Sequence, residues 1–151
     1  MDEQNYEALK LKNQLCFPLY ACAREMVKLY KPFLDEISLT YTQYITLMVL
    51  WEEKALTVKA LGKRLYLDSG TLTPLLKKLE EKGLVSRRRS QEDERNLIVT
   101  ITEQGEALQE RAISIPGRMA EYVLLEPEER RAAYRLLYKM LSWVDQNTQK
   151  E

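Results

Sequence analysis

The hydrophobic pattern changes period at Gly83, and this constrains the fold more than any other feature of the chain. Before it, YLDSGTLTPLLKKLEEKG puts Leu72, Leu75, Leu76 and Leu79 on one helical face, with Asp68 or Ser69 placed to cap the start and Gly83 to stop it. After it, LVSRRRS and NLIVTIT alternate or run β-branched on either side of the polar QEDER, which is the pattern of two strands and a turn. Upstream, Thr57 can cap the short helix VKALGKRL, making the helix after Asp68 the second of a helix-turn-helix pair. A helix-turn-helix followed directly by a basic hairpin is a winged helix. Pro74 sits deep for a helix beginning at Ser69, so the first turn is expected to be irregular or to start later.

The flanking segments read as helical. Residues 14–35 have helical spacing, and Pro18 is tolerated there only in a first turn or at a kink, which places Cys16 near a helix start. Thr40-Tyr41-Thr42-Gln43 matches a capping box opening a helix through TLMVLWEE. Thr102-Glu103-Gln104-Gly105 starts a further helix, Pro116-Gly117 breaks or bends it, and Pro127-Glu128-Glu129 opens a last one ending near Trp143. The expected fold is therefore mainly α with a small β-hairpin wing. With 151 residues, 45% of them apolar, residues 1–151 fit one domain, or a subunit that shares its core with a partner.

Composition removes several functional classes. There is no histidine, so Ser-His-Asp and Cys-His nucleophiles and His-containing zinc sites are out, and two cysteines cannot close a structural zinc site. Neither an enzyme nor a bound metal or cofactor is expected. The start, MDEQNYEALK, is polar and acidic, and no run of about 18 apolar residues occurs, so neither a secretory signal nor a membrane span is expected and the chain reads as cytoplasmic. Cys16 and Cys22 share one helix, where six positions rise about 9 Å, too far for a disulfide.

Net charge is zero, with 23 basic and 23 acidic residues, but the charge is not evenly spread. Between Lys54 and Arg95 stand 11 Lys/Arg against 6 Asp/Glu, a net of +5, so a basic module sits in an acidic frame. A recognition helix enters the major groove by its N-terminal end, which here offers Ser69, Thr71 and Thr73 for base edges. Lys77 and Lys78 can reach phosphates; Arg87 and Arg89 line a wing strand; Arg95 at the tip can enter a narrow minor groove, oriented by Asp93. Arg88, Lys82 and the glutamates read as exposed surface charge.

DSGTLTPLLKKLEEKGLVSR followed by DERNLIVTITEQG resembles the MarR family of winged-helix repressors, whose wing tip carries a D-x-R pattern. LCFPLYA, LYKPFLDE and LTYTQY resemble its organic hydroperoxide sensing, OhrR-type, one-cysteine branch. The resemblance, over about residues 10–145, implies a homodimer built by helices at about 10–40 and 103–147. The winged lobe, about 41–102, would contact double-stranded DNA at a pseudo-palindromic operator.

Cys22 fits a packing role. Cys16 stands apart: a helix N-terminus favours a thiolate, and Tyr20 and Tyr30 each lie within about 40° of it around the ideal axis. The resemblance implies that Tyr20 and Tyr30 hydrogen-bond the reactive sulfur, partly from the other subunit, with Tyr41 nearby. The expected function is a repressor whose Cys16 is oxidised by an organic hydroperoxide to a sulfenic acid and then coupled to a low-molecular-weight thiol. The family's two-cysteine sensors carry a resolving cysteine in the C-terminal helices; this chain has none there. The alternative is a MarR-type repressor gated by a small aromatic ligand, with Cys16 structural.

Overall fold

A computed structural model describes residues 6–148; residues 1–5, which open the acidic N-terminal stretch, and 149–151 lie outside the described residues. The chain divides into two compact units, the first ending at Pro116 and the second beginning at Gly117. After a 3₁₀ turn at Leu11–Asn13, the elements in order are α1 (Cys16–Asp35), α2 (Tyr41–Glu53), β1 (Ala55–Thr57), α3 (Val58–Leu65), α4 (Ser69–Glu81), β2 (Val85–Arg89), β3 (Leu97–Ile101), α5 (Glu103–Ala112), α6 (Ile115–Ala120) and α7 (Pro127–Thr148). Among the described residues no helix is long and apolar enough to cross a membrane.

Helix starts follow their side-chain caps. Thr40 forms the expected capping box: its hydroxyl accepts from the Gln43 N–H at 3.3 Å, and the Gln43 side-chain oxygen accepts from the Thr40 N–H at 3.1 Å. Thr57, Asp68 and Thr102 accept from the N–H groups of Ala60, Thr71 and Gly105 at 3.1, 2.8 and 3.0 Å. The stop of α4 is Gly83, whose φ of +72° would strain any L side chain.

α2 runs through the middle of the first unit, with Leu47 and Leu50 fully buried against Leu34, Leu61, Leu72, Leu76, Leu79 and Val99 in the same core. Burial of each such leucine contributes about 1.5–3 kcal/mol. The four leucines expected on one face of α4 are all buried, while Ser69, Thr71, Thr73, Lys77 and Lys78 are exposed.

Four local expectations are corrected. α4 is helical from Ser69 with Pro74 inside it, so there is no delayed start. Proline there removes a single intrahelical donor, the one to the carbonyl of Gly70. The hairpin is part of a three-stranded antiparallel sheet of order β1-β3-β2. β1 pairs Ala55 with Thr100 and Thr57 with Ile98, and at three residues it is too short to show a period. The chain breaks at Ile113–Ser114, before Pro116, which lies in the first turn of α6, where proline is tolerated. α7 continues past Trp143 to Thr148, where Asn147 donates to the Trp143 carbonyl at 2.8 Å and Thr148 to that of Val144 at 3.0 Å.

Candidate nucleic-acid interface and redox site

The outer face of α4 carries the short hydroxyls. Thr71 is partly committed: its Oγ1 donates to Asp68 Oδ2 at 3.3 Å, which leaves the oxygen's lone pairs to accept. Ser69 and Thr73 are exposed beside it, and Lys77 and Lys78 follow one turn later. All five are exposed, Ser69, Thr73 and Lys77 along one flank of the helix and Thr71 and Lys78 along the other, on either side of the buried leucine stripe.

The wing is ordered by its own polar groups. Asp93 accepts from the Arg95 N–H and Nε, each at 3.1 Å, and from Asn96 Nδ2 at 3.3 Å. Arg95's hydrogen bonds, first from the side chain and then from the backbone, hold the Asp93 carboxyl below its ordinary range. The arginine side chain remains 91% exposed, presented by its base rather than packed. Arg89 Nη1 donates to the Glu94 carbonyl at 2.8 Å and closes the loop. Arg87 differs from the other wing arginines, because it is bound to Glu80 of α4 and faces the helix rather than solvent.

Cys16 is the first residue of α1 and its thiol is exposed. The first turn has no acidic residue and the preceding Leu15 supplies no side-chain cap; of its amides, the Phe17 N–H donates to the Gln14 carbonyl at 3.3 Å and Pro18 has none to offer. Tyr20, one turn on, accepts from Arg24 Nη1 at 2.8 Å, which leaves its own phenolic proton to donate. Tyr30 lies fourteen positions along α1, about 21 Å of helical rise, and cannot reach the sulfur of its own chain.

Tyr30 packs instead on Tyr41, ring centroids 5.0 Å apart, and on Tyr44 at 6.1 Å. Burial pushes the Tyr41 and Tyr44 phenols up, so both stay protonated donors at neutral pH. One protomer therefore packs Tyr30 on Tyr41, sets Cys16 and Tyr20 one helical turn apart on α1, and keeps Tyr30 and Tyr41 away from its own Cys16.

Sequence reasoning missed three functional candidates. Glu80 reads as surface charge, and only its seven-residue spacing from Arg87 across a tight turn hints at the pair. Lys82, also read as surface charge, donates to the Ser38 carbonyl and to Gln43 Oε1 at 3.2 Å, tying the corner between α1 and α2 to the end of α4. Tyr44 is 4% exposed and extends the phenol cluster toward Trp51, whose ring is 6.3 Å away.

Residues 28–111 match the family model described as transcriptional regulator SarA/Rot. The chain is 48% identical over 144 residues to the organic hydroperoxide resistance transcriptional regulator of Bacillus subtilis, covering 95% of this chain and 98% of that one. Among solved structures it is similar to AbfR of Staphylococcus epidermidis, at 36% identity over 94% of this chain and 98% of the other, with a TM-score of 0.76. Reduced AbfR bound to DNA superposes with a TM-score of 0.75, at 38% identity over 91% of this chain and 98% of that chain. Its disulfide form superposes with a TM-score of 0.63, at 35% identity over 93% and 99%. The chain belongs to the MarR family of winged-helix transcriptional regulators, in its organic hydroperoxide resistance branch.

Proposed function

We propose that this protein is a homodimeric repressor that binds a pseudo-palindromic double-stranded operator and leaves it when Cys16 is oxidised by an organic hydroperoxide. The observation that carries the reading is an exposed thiol at the first position of α1 with Tyr20 one turn on, in a chain that shares nearly half its residues with an organic hydroperoxide resistance regulator.

On DNA, Ser69, Thr71 and Thr73 meet base edges, Lys77 and Lys78 meet phosphates, and Arg95, steered by Asp93, enters the minor groove beside Arg89. Arg87 contributes by fixing the wing to the recognition helix. Dimerisation falls to helices at about 10–40 and 103–147. The apolar side chains exposed on the protomer support this: Leu15, Phe17 and Tyr20 on the N-terminal side, and Leu137, Leu141 and Trp143 on α7. It also completes the sensor, since the separation of Tyr30 from Cys16 along α1 requires the second set of phenols to come from the partner protomer.

The thiolate attacks the terminal peroxide oxygen and the O–O bond breaks. The sulfur becomes a sulfenic acid, and the alkoxide leaves and takes up a proton as the alcohol. A low-molecular-weight thiol then displaces water to give a mixed disulfide. Loss of charge-assisted hydrogen bonds to the thiolate costs about 1.5–3 kcal/mol each. An adduct crowding a packed dimer adds about 1–3 kcal/mol or more. Together these approach the roughly 5.5 kcal/mol needed to switch from mostly bound to mostly free.

The test is an operator shift assay with mass spectrometry after brief cumene hydroperoxide treatment in the presence of a small thiol. The expected result is a thiol adduct on Cys16 that tracks loss of binding; release without modification at Cys16 sinks the reading.

A further inference from the structure

A row of aromatic rings leads away from the phenol cluster. Tyr30 contacts Tyr44 at 6.1 Å between centroids, and Tyr44 meets Trp51 edge-on at 6.3 Å, two turns further along α2. Trp51 ends the row with a polar contact: its indole N–H donates to the Gly105 carbonyl at 2.9 Å.

Gly105 is no ordinary helix residue. A Cβ at this position would stand 2.2 Å from the Leu84 carbonyl oxygen and 2.8 Å from Ile101 Cγ1, so the first turn of α5 lies directly on the backbone at Leu84. Thr102 ties the same place from the other side, its Oγ1 donating to the Gly83 carbonyl at 2.6 Å and its N–H to that of Leu84 at 3.1 Å. Gly83 and Leu84 are where the recognition helix stops and the first wing strand begins. A shift of Gly105 is therefore delivered to the backbone turn that links helix to wing.

We propose that Trp51 is a positioning residue that couples the Tyr30–Tyr41 phenol cluster to the junction of the recognition helix and the wing. The inference rests on the sensor reading above. Oxidation at Cys16 displaces the phenols that face it; Tyr44 passes the displacement to the indole; the hydrogen bond moves the first turn of α5 and with it Gly83–Leu84. A packed row with two discrete arrangements suffices to carry such coupling.

Trp51→Phe keeps most of the ring and removes the donor, so it separates coupling from packing. Reduced W51F is expected to bind operator within about threefold of the parent and to form the Cys16 adduct at the same rate by mass spectrometry. Its loss of affinity on oxidation should shrink from the parent's roughly 10⁴-fold to below about tenfold. A second readout does not depend on that variant. In Trp143→Phe protein Trp51 is the sole indole, and its emission should shift on cumene hydroperoxide treatment but not when Cys16→Ser is added.

Release of W51F as complete as the parent's, or an indole emission unmoved by oxidation, overturns the relay alone. A parent that keeps its operator with Cys16 fully modified overturns the sensor reading and the relay with it.

Discussion

Glu80 holds Arg87 by backbone and side chain at once: Oε1 accepts the Arg87 N–H at 2.9 Å, and Oε2 accepts Nε at 3.2 Å and Nη2 at 2.9 Å. Glu80 is in the last turn of the recognition helix and Arg87 is in the first wing strand, so one ion pair joins helix to wing. The Arg87 side chain is only 20% exposed, and that shielding, with three hydrogen bonds to one carboxylate, separates this pair from the solvated ion pairs elsewhere on the surface.

The pair makes stability depend on pH. Arg87's side-chain bonds, then its backbone N–H, hold the Glu80 carboxyl below the usual carboxylate range. A carboxylate depressed in the folded state adds stability above its unfolded pKa of about 4.3 and loses it as pH falls through the folded value. Denaturant unfolding should show wild type more stable than Glu80→Gln near neutral pH, by a margin that closes below about pH 4. A margin of the same size at pH 7 and pH 3 would remove the ion pair as its cause.

Arg95 is presented by a base of hydrogen bonds at Asp93 and otherwise stands in solvent, so its removal should leave the fold intact and act on DNA. Arg95→Ala is expected to weaken operator binding by about tenfold or more, with a shallower salt dependence. Asp93→Asn should weaken it less, because the guanidinium survives and only its orientation loosens. Fluorescence anisotropy at two salt concentrations measures both, and an Arg95→Ala protein with unchanged affinity would remove the wing tip from the interface.

The winged lobe was legible because its signals are local. Leu72, Leu75, Leu76 and Leu79 repeat at helical spacing, Gly83 marks the stop, and Thr40, Thr57 and Thr102 stand where caps are needed, all within windows of a few residues. Features that depend on distant partners were not legible. β1 exists because Leu56 finds Val99, the Trp51 bond spans 54 positions, and Lys82 finds Ser38 across 44. The site divides the same way. Cys16, Tyr20 and Tyr30 declare themselves by spacing on one helix and Tyr41 only through the family resemblance, while the contact of Tyr30 with Tyr44 requires two helices to be folded together.

The two cysteines should behave differently although both are exposed on α1. Cys16 is the first residue of the helix, one turn before Tyr20, and Cys22 sits six positions further along it. Cys16→Ser should keep its operator through cumene hydroperoxide treatment, and Cys22→Ser should release it as wild type does. Retention of binding in Cys22→Ser would make the second thiol part of the switch.

Gly105 offers a test of packing against backbone with an internal control. A methyl group at this position meets the Leu84 carbonyl oxygen at 2.2 Å, and that oxygen is fixed by the N–H of Thr102 at 3.1 Å, so neither side can yield cheaply. Gly105→Ala is expected to lose about 1–3 kcal/mol or more, despite the better helix propensity of alanine. Gly117, also helical, has open space where a methyl group would stand, with nothing within 4 Å, so Gly117→Ala should be neutral or gain up to about 1 kcal/mol. Thermal unfolding of the two variants should move in opposite directions. Equal shifts would mean that the contact between α5 and the end of the recognition helix is loose, and the seat of the Trp51 hydrogen bond with it.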